Sequence, residues 1–377
     1  MDEYLTNTTD LTKVASAIRE KGGTSDQLVY PDGFVSAIQA IQTGTELQIV
    51  ATVASGATVT ATKGSLSVSG TSVNGTCTLI VPEAGTWSVS ATLDGQTSDT
   101  KTVSITDSYS LTFSFVSSTL NNNEWSVIKS VSDAGQGANY WSIGDRKEVT
   151  LNGTVGHLTL SNYTTYAFII GFNHNASVEG TNRIHFQLAK TALSGGKDVC
   201  LCDSSYNSSV STTGYFSINS SRTNAGGWES SQMRTNICGT SLSSYSGTII
   251  AVIPAALRAV LKSVTKYTDN TANGGGSTAS YVTATTDYFF LLSEFEVFGS
   301  IDIGNTNEKN KQAQYAYYSA GNSKIKYKHN GTSTAAHWWL RSPYASVSNY
   351  AVRVRNDGTV GSNEANISFG FAPGFCV

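Results

Sequence analysis

Proline and methionine are scarce in this 377-residue chain, at five and two residues, and only 14% of its residues are charged. With a net charge of −3 there is no basic field to hold nucleic acid and no acidic tail. No apolar run reaches the ~20 residues of a membrane span, and the opening MDEYLTNTTDL lacks the basic start and apolar core of an export signal. Membrane insertion and Sec export are therefore not expected. The five cysteines (Cys77, Cys200, Cys202, Cys238, Cys376) are odd in number and widely spread, which argues against a disulfide scaffold and for reduced, buried thiols in a chain assembled in a cytoplasm.

The signatures of an enzyme are missing too. His157, His174, His185, His329 and His337 form no HExxH pair and no zinc-finger spacing, and there is no GxSxG elbow, phosphate loop or dinucleotide fingerprint. Cys200 and Cys202 in DVCLCD would share one face of a strand, half of a zinc site at most, and read better as buried free thiols. Glu294 and Glu296 in LLSEFEVFG would share a strand face as well. Two acids so placed could serve a glycosidase, but they are more ordinary as a solvated face or as partners of Arg146, Arg341 or a lysine. No catalytic residue, metal ligand or cofactor is assigned.

What the chain has is glycine, serine, threonine and asparagine, a β-rich and turn-rich composition long enough for two or three domains. Residues 1–44 form a helical N-terminal segment for anchoring or oligomerisation. Asp10 is expected to cap a helix with Leu11, Val14 and Ile18 on one face, ended by Gly22 and Gly23; Asp32 is expected to cap another with Phe34, Ile38 and Ile41. Helices so short cannot bury themselves, so they should pack on copies of the chain or on a neighbouring protein, with a frayed tail as the alternative. Residues 45–107 alternate in short segments split by turns, which predicts a small β-sandwich with Trp87 in its core; GATVTATKG and GTCTLIVPEAGTWSVSATLDGQ resemble the immunoglobulin-like spacers of bacterial and phage surface proteins.

Residues 108–377 read as one larger α+β unit. A helix is expected after an Asn123 cap, burying Trp125, Ile128 and Val131, and another from Pro254, burying Leu257, Val260, Leu261 and Val264 with Arg258 and Lys262 outside. Strands are expected at 166–172, 183–189 and 287–299, and a flexible loop at 273–277.

Six motifs in this unit, YWSIGDRKEVTLNG (140–153), IIGFNHN (169–175), GGWESSQMR (226–234), LLSEFEVFG (291–299), WWLRSP (338–343) and GFAPGFCV (370–377), together resemble one family. It is the C-type-lectin-fold domain, of the branch related to formylglycine-generating enzymes, found in gut phage and bacterial proteins, many of them variable proteins of diversity-generating retroelements. VASAIREKGGTSDQLVYPDGFVSAIQAI also looks like the start of many phage tail proteins. The resemblance implies that an error-prone copy, mutated at adenines, rewrites the 3′ end of the gene. Asn codons can then change widely, but never to Lys, Gln, Glu, Met or Trp. Residues 344–377 contain no Lys, Gln, Met or Trp; Glu364 departs from the rule and is left out of the variable set.

On that resemblance Trp338, Trp339, Leu340, Arg341, Pro343, Gly370, Pro373 and Phe375 are frame. The variable ligand-binding positions, within about 344–369, are Tyr344, Val347, Asn349, Tyr350, Arg353, Arg355, Asp357, Ser362, Asn363, Asn366, Ile367 and Phe369. In YAVRVRNDG, Val352 and Val354 fall on one strand face and Arg353 and Arg355 on the other, with Tyr350 on the valine side. Tyr, Arg, Asn and Ser make a paratope-like palette. The implied function is a non-enzymatic receptor-binding protein of a phage or prophage tail, which grips a host cell-surface protein or glycan. Its N-terminus would join other tail proteins, and it would be a homo-oligomer, a trimer by analogy with tail fibres. The alternatives are a bacterial surface adhesin and an enzyme like the formylglycine-generating enzymes, which would need a reactive cysteine pair. Calcium-dependent sugar binding is not expected, since Glu-Pro-Asn, Gln-Pro-Asp and Trp-Asn-Asp are absent.

Overall fold

A computed structural model describes residues 8–22, 25–40, 46–93, 96–98 and 100–377. The chain divides into two compact units between Phe115 and Val116, and both together make it an α+β protein in which antiparallel pairing predominates.

In the first unit the helices Thr8–Gly22 and Asp32–Ala40 bury Ala15, Ile18 and Phe34 between them, with Leu11, Leu28 and Ala37 alongside. The inward stripe is thus Leu11, Ala15 and Ile18, at i, i+4 and i+7. It leaves Val14 and Ile38 exposed, where the sequence had suggested that both face inward. Asp10 and Asp32 lie inside the first turns, not at caps, and Asp10 pairs with Lys13 at 3.3 Å. Gly23 and Ile41 lie outside the described residues.

Two small sheets follow. Gln48–Thr52 lies between Thr76–Ile80 and Ser108–Thr112, and Thr58–Lys63 lies between Leu66–Thr71 and Gly85–Leu93, which also pairs with Gln96–Thr97 and Lys101–Ile105. Their inward residues, among them Ile49, Ala61, Leu79, Val89, Ile105 and a fully buried Trp87, form one core. The unit runs past the expected end at 107. Ser108–Thr112 pairs in parallel with Gln48–Thr52, and Leu111 and Phe113 enter the same core, so the alternation continues across the turn at Asp107.

The second unit is built on a five-stranded antiparallel sheet in the order Phe289–Phe290, Gly374–Cys376, Ile184–Lys190, Leu158–Phe172, Arg146–Val155. Helix Trp125–Asp133 packs Trp125, Ile128 and Val131 into its core. Its N-cap is Glu124, and Asn123 instead knots the preceding turn, its Nδ2 donating to the carbonyls of Ser117, Thr119 and Leu120 at 2.9, 3.0 and 3.3 Å. The helix after Pro254 is a single turn, Ala255–Arg258, and Val264 begins the strand Val264–Asp269. Arg258 is half-buried, because its guanidinium donates to the carbonyls of Ile250, Ala251 and Ile253. The 287–299 run is strand only at Asp287, the end of the strand Val282–Asp287, and at Phe289–Phe290. It then becomes helix Glu294–Phe298, started by a Ser293 capping box with Glu296.

Candidate functional site

The frame motif WWLRSP is the strand Trp338–Pro343, every residue of it buried. Tyr350–Val354 pairs with it and with the edge strand Val360–Glu364, all antiparallel. Arg341 fixes this sheet to the core. Both terminal nitrogens hold Glu296, one of them at 2.9 Å, while Nη1 donates to Leu291 O and Nε to Thr268 Oγ1, each at 2.9 Å. Glu296 also accepts from Lys266 at 2.9 Å, and Lys266 donates on to Glu179 at 2.7 Å and to the Tyr315 hydroxyl at 2.8 Å. Burial pushes the Glu296 carboxyl up, but Arg341 and Lys266 outweigh it and hold the group well below its usual range.

Around this chain of charges His174 stacks on Tyr315 at 3.7 Å, and His185 Nδ1 lies 3.1 Å from the same hydroxyl and 3.3 Å from Cys376 Sγ. Burial pushes His174 down to about 3 and the Cys376 thiol up to about 12. Glu179 is lifted by burial to about 7. The donor atoms of His174, Glu179 and Glu296 lie within 4.8 Å of one another, the spacing of a metal site. Yet the carboxylates already bind Lys266 and Arg341, which bring the positive charge an ion would supply. All five cysteines are free and buried, and the Cys238 thiol is pushed up by burial. Cys202, with its sulfur 3.9 Å from that of Cys200, is no better placed as a thiolate, since that contact and then burial push it up. This network of charges holds the frame strand to the core.

Glu294 and Glu296, expected on a strand face, both sit buried at a helix start. Glu294 accepts the backbone N–H groups of Asp302, Ile303 and Gly304 at 2.7, 3.1 and 2.7 Å. Neither is a solvated face. Glu296 has Arg341 and a lysine as partners, as one of the sequence readings had it.

Above the frame, residues 344–349 form a loop whose shape is set from outside by Asn224, itself 1% exposed. The Asn224 Nδ2 donates to the carbonyls of Tyr344, Val347 and Tyr350 at 3.1, 2.8 and 2.7 Å, and its backbone N–H to Ser348 O at 2.8 Å. Its Oδ1 accepts from Asn273 N at 3.0 Å, and Gly276 N donates to Ala345 O at 2.8 Å. The glycine-rich segment at 273–277 is therefore tied to this loop, not loose as its composition suggests.

Eight of the twelve expected display positions fall into three groups. Tyr344, Val347, Asn349 and Tyr350 are half-buried at one end of the hairpin, with the rings of Tyr344 and Tyr350 6.4 Å apart. Arg355 and Asp357 are exposed at the other end, about 17 Å away at ~3.3 Å per strand residue. Ser362 and Asn363 lie half-buried on the edge strand between. Register puts Tyr350, Val352 and Val354 on one face opposite Glu364, Ser362 and Val360, and Arg353 on the other opposite Gly361.

Asn366 and Phe369 are not display positions. Asn366 is 8% exposed and donates to Val210 O at 3.1 Å, and Phe369 is fully buried between Trp339, His337 and the Arg353 guanidinium, which lies 4.6 Å over its ring. Ile367 is half-buried, and its carbonyl accepts from Trp339 Nε1 at 3.1 Å. The frame residues Gly370 and Phe375 are buried, as are Trp338, Trp339, Arg341 and Pro343. Sequence reasoning missed Asn224, Lys266 and the ion pair of Arg222 with Glu364.

Residues 205–377 match the model of a family described only as a domain of unknown function (DUF6273). The match takes in Asn224, Lys266, Glu296, Arg341 and the whole hairpin, and leaves out Glu179, His174 and the first two of the six motifs. No curated protein matches the chain.

Proposed function

We propose that this chain is a receptor-binding protein of a phage or prophage tail, whose second unit is a C-type lectin fold bearing a diversified surface for attachment to a host cell. The observation that carries this reading is the way the 344–350 loop is held. Asn224 grips three of its backbone carbonyls, so side chains at Tyr344, Val347 and Asn349 can change without loss of the contacts that shape the loop. A surface rewritten from copy to copy needs that independence. The accessible set is Tyr344, Val347, Asn349, Tyr350, Arg353, Arg355, Asp357, Ser362, Asn363 and Ile367.

The first unit would serve as spacer and, through its helical pair, as the joint to other tail proteins or to copies of the chain. Exposed Val14, Val35 and Ile38 on helices with a three-residue core support such a contact. A trimer is proposed by analogy alone, and a monomeric mass from light scattering of the full chain would count against it. No helix among the described residues is long and apolar enough to cross a membrane.

Deep sequencing of the 3′ end of the gene, in the population that carries it, tests the reading. Substitutions should concentrate at codons for the accessible set and at adenines of a nearby repeat, sparing Arg341, Phe369 and Asn224. Variation spread evenly along the gene would refute diversification.

A further inference from the structure

Two guanidiniums, Arg353 and Arg355, lie beside each other on the display hairpin without an ion-pair partner among the described residues, and a relay of rings leads from Arg353 to a third cation, Lys328. Arg353 lies 4.6 Å over the Phe369 ring, Phe369 lies 6.0 Å from Tyr206, and Lys328 Nζ sits 4.0 Å over the Tyr206 ring. Arg355, one residue past the strand end at Val354, folds across Gly361, the residue paired with Arg353 in the register, where a Cβ would come 2.5 Å from its Nε. Glycine at 361 thus clears the ground for a second guanidinium beside the first. Among the described residues none of the three is in an ion pair, whereas nearby Arg222 and Arg341 both are.

Two like charges brought together and partly dehydrated are unfavourable unless an anion joins them. Arg353 carries that cost visibly. Its Nη1 is enclosed with no hydrogen-bond partner, and burial followed by repulsion from Arg355 lowers its pKa. Asp357 is the one nearby acid felt by both arginines, yet its carboxylate is turned back into its own turn, accepting from Thr359 N at 3.0 Å and Thr359 Oγ1 at 2.6 Å. An anion arriving at the exposed Arg355 would offset the repulsion between the two guanidiniums.

We infer that Arg353 and Arg355 form a docking strip for the acid groups of a cell-surface polysaccharide. The inference rests on the attachment function proposed above and gives that site its ligand chemistry. Residues i and i+2 of a strand are ~6.6 Å apart, which suits successive acids of a polymer better than one small anion. Guanidinium forks take carboxylate or phosphate oxygens in pairs. The polar turn beside them, Asn356 and Thr359, offers hydrogen bonds to sugar hydroxyls, and repeated weak contacts across several copies would sum.

The test uses the full-length protein, with polygalacturonate as carboxylate probe, poly(glycerol phosphate) as phosphate probe, neutral dextran, and poly-glutamate as the peptide control. Saturable, salt-sensitive binding is expected to at least one acidic polysaccharide, the preferred one identifying the acid group, with none to dextran. Arg355→Gln, a change at an exposed side chain, should weaken it by about ten-fold and Arg355→Lys by less. Gly361→Ala, which keeps every charge but crowds Arg355, should also weaken it. Wild-type binding by Arg355→Gln, no binding to either acidic polysaccharide, or equal binding to poly-glutamate would each overturn the inference. Adsorption to host cells separates the two levels: if Arg355→Gln adsorbs like the parent, only the polysaccharide strip falls, and if the unaltered protein does not adsorb, the attachment function falls.

Discussion

Arg341 shows how a single side chain ties the display sheet to the core. It is 2% exposed, and its loss would strand the fully buried Glu296 with Lys266 alone. Removing one member of a buried ion pair costs about 3–5 kcal/mol, so Arg341→Met should lower the urea midpoint strongly; a cost under ~1 kcal/mol would show that water reaches the network. Asn224 acts at the level of one loop. Asn224→Ala removes the two amide hydrogens shared among three half-buried loop carbonyls and the oxygen that accepts from Asn273 N, about three hydrogen bonds in all at about 1 kcal/mol each. The expected result is a loss of about 2–3 kcal/mol together with faster amide exchange at Asn273, whose N–H it accepts. Unchanged exchange at Asn273 would deny Asn224 its part as clamp.

At the scale of elements, the hairpin separates positions that tolerate change from positions that do not. Tyr344→Ser, Val347→Asp and Asn349→Tyr should each shift stability by no more than about 0.5 kcal/mol, the range for surface changes that touch no special feature. Phe369→Ala should cost about 3–5 kcal/mol, as for other buried aromatics. Equal costs across the four, read by urea unfolding, would mean that display and packing are not separated. Much of this was legible in the sequence. The alternation of Val352 and Val354 against Arg353 survives in the register, with Arg355 exposed just past the strand end, and the WWLRSP frame is buried throughout. The acidic pair was not, because LLSEFEVF alternates at two residues yet also begins with Ser293 three before Glu296, a helix-start signal that outweighs the alternation. Lys266 left a trace too, since it shares parity with Val264 and Thr268 and so had to point inward with them. Asn224 left none. One asparagine in a TNAGG run looks like any turn until the chain 120 residues later folds over it.

For the whole molecule, the division at Phe115/Val116 gives the second unit a hydrophobic core of its own, so residues 116–377 expressed alone should unfold in one cooperative step. Its response to acid follows from what it buries. His329 and His337 are pushed down to about 4 by burial, His174 to about 3, and His185 well below the usual value. Unfolded, these imidazoles take up protons near 6.5, so as pH falls through that value the unfolded chain binds more protons and stability drops. Glu179 and Glu308, both lifted to about 7 by burial, act in the opposite sense. Their contribution is complete below the unfolded value of 4.5 and is lost as pH rises through about 7. Glu294 is raised as well, but three backbone N–H groups offset part of its burial. Four imidazoles outweigh the carboxyls, so the urea midpoint should fall between about pH 7.5 and about pH 5. Two substitutions then separate the contributions: His329→Gln removes one proton taken up only on unfolding and should flatten the fall, whereas Glu308→Gln removes one opposing group and should steepen it. Midpoints that fall equally in both variants would mean that neither group keeps, in the folded chain, the environment its burial implies.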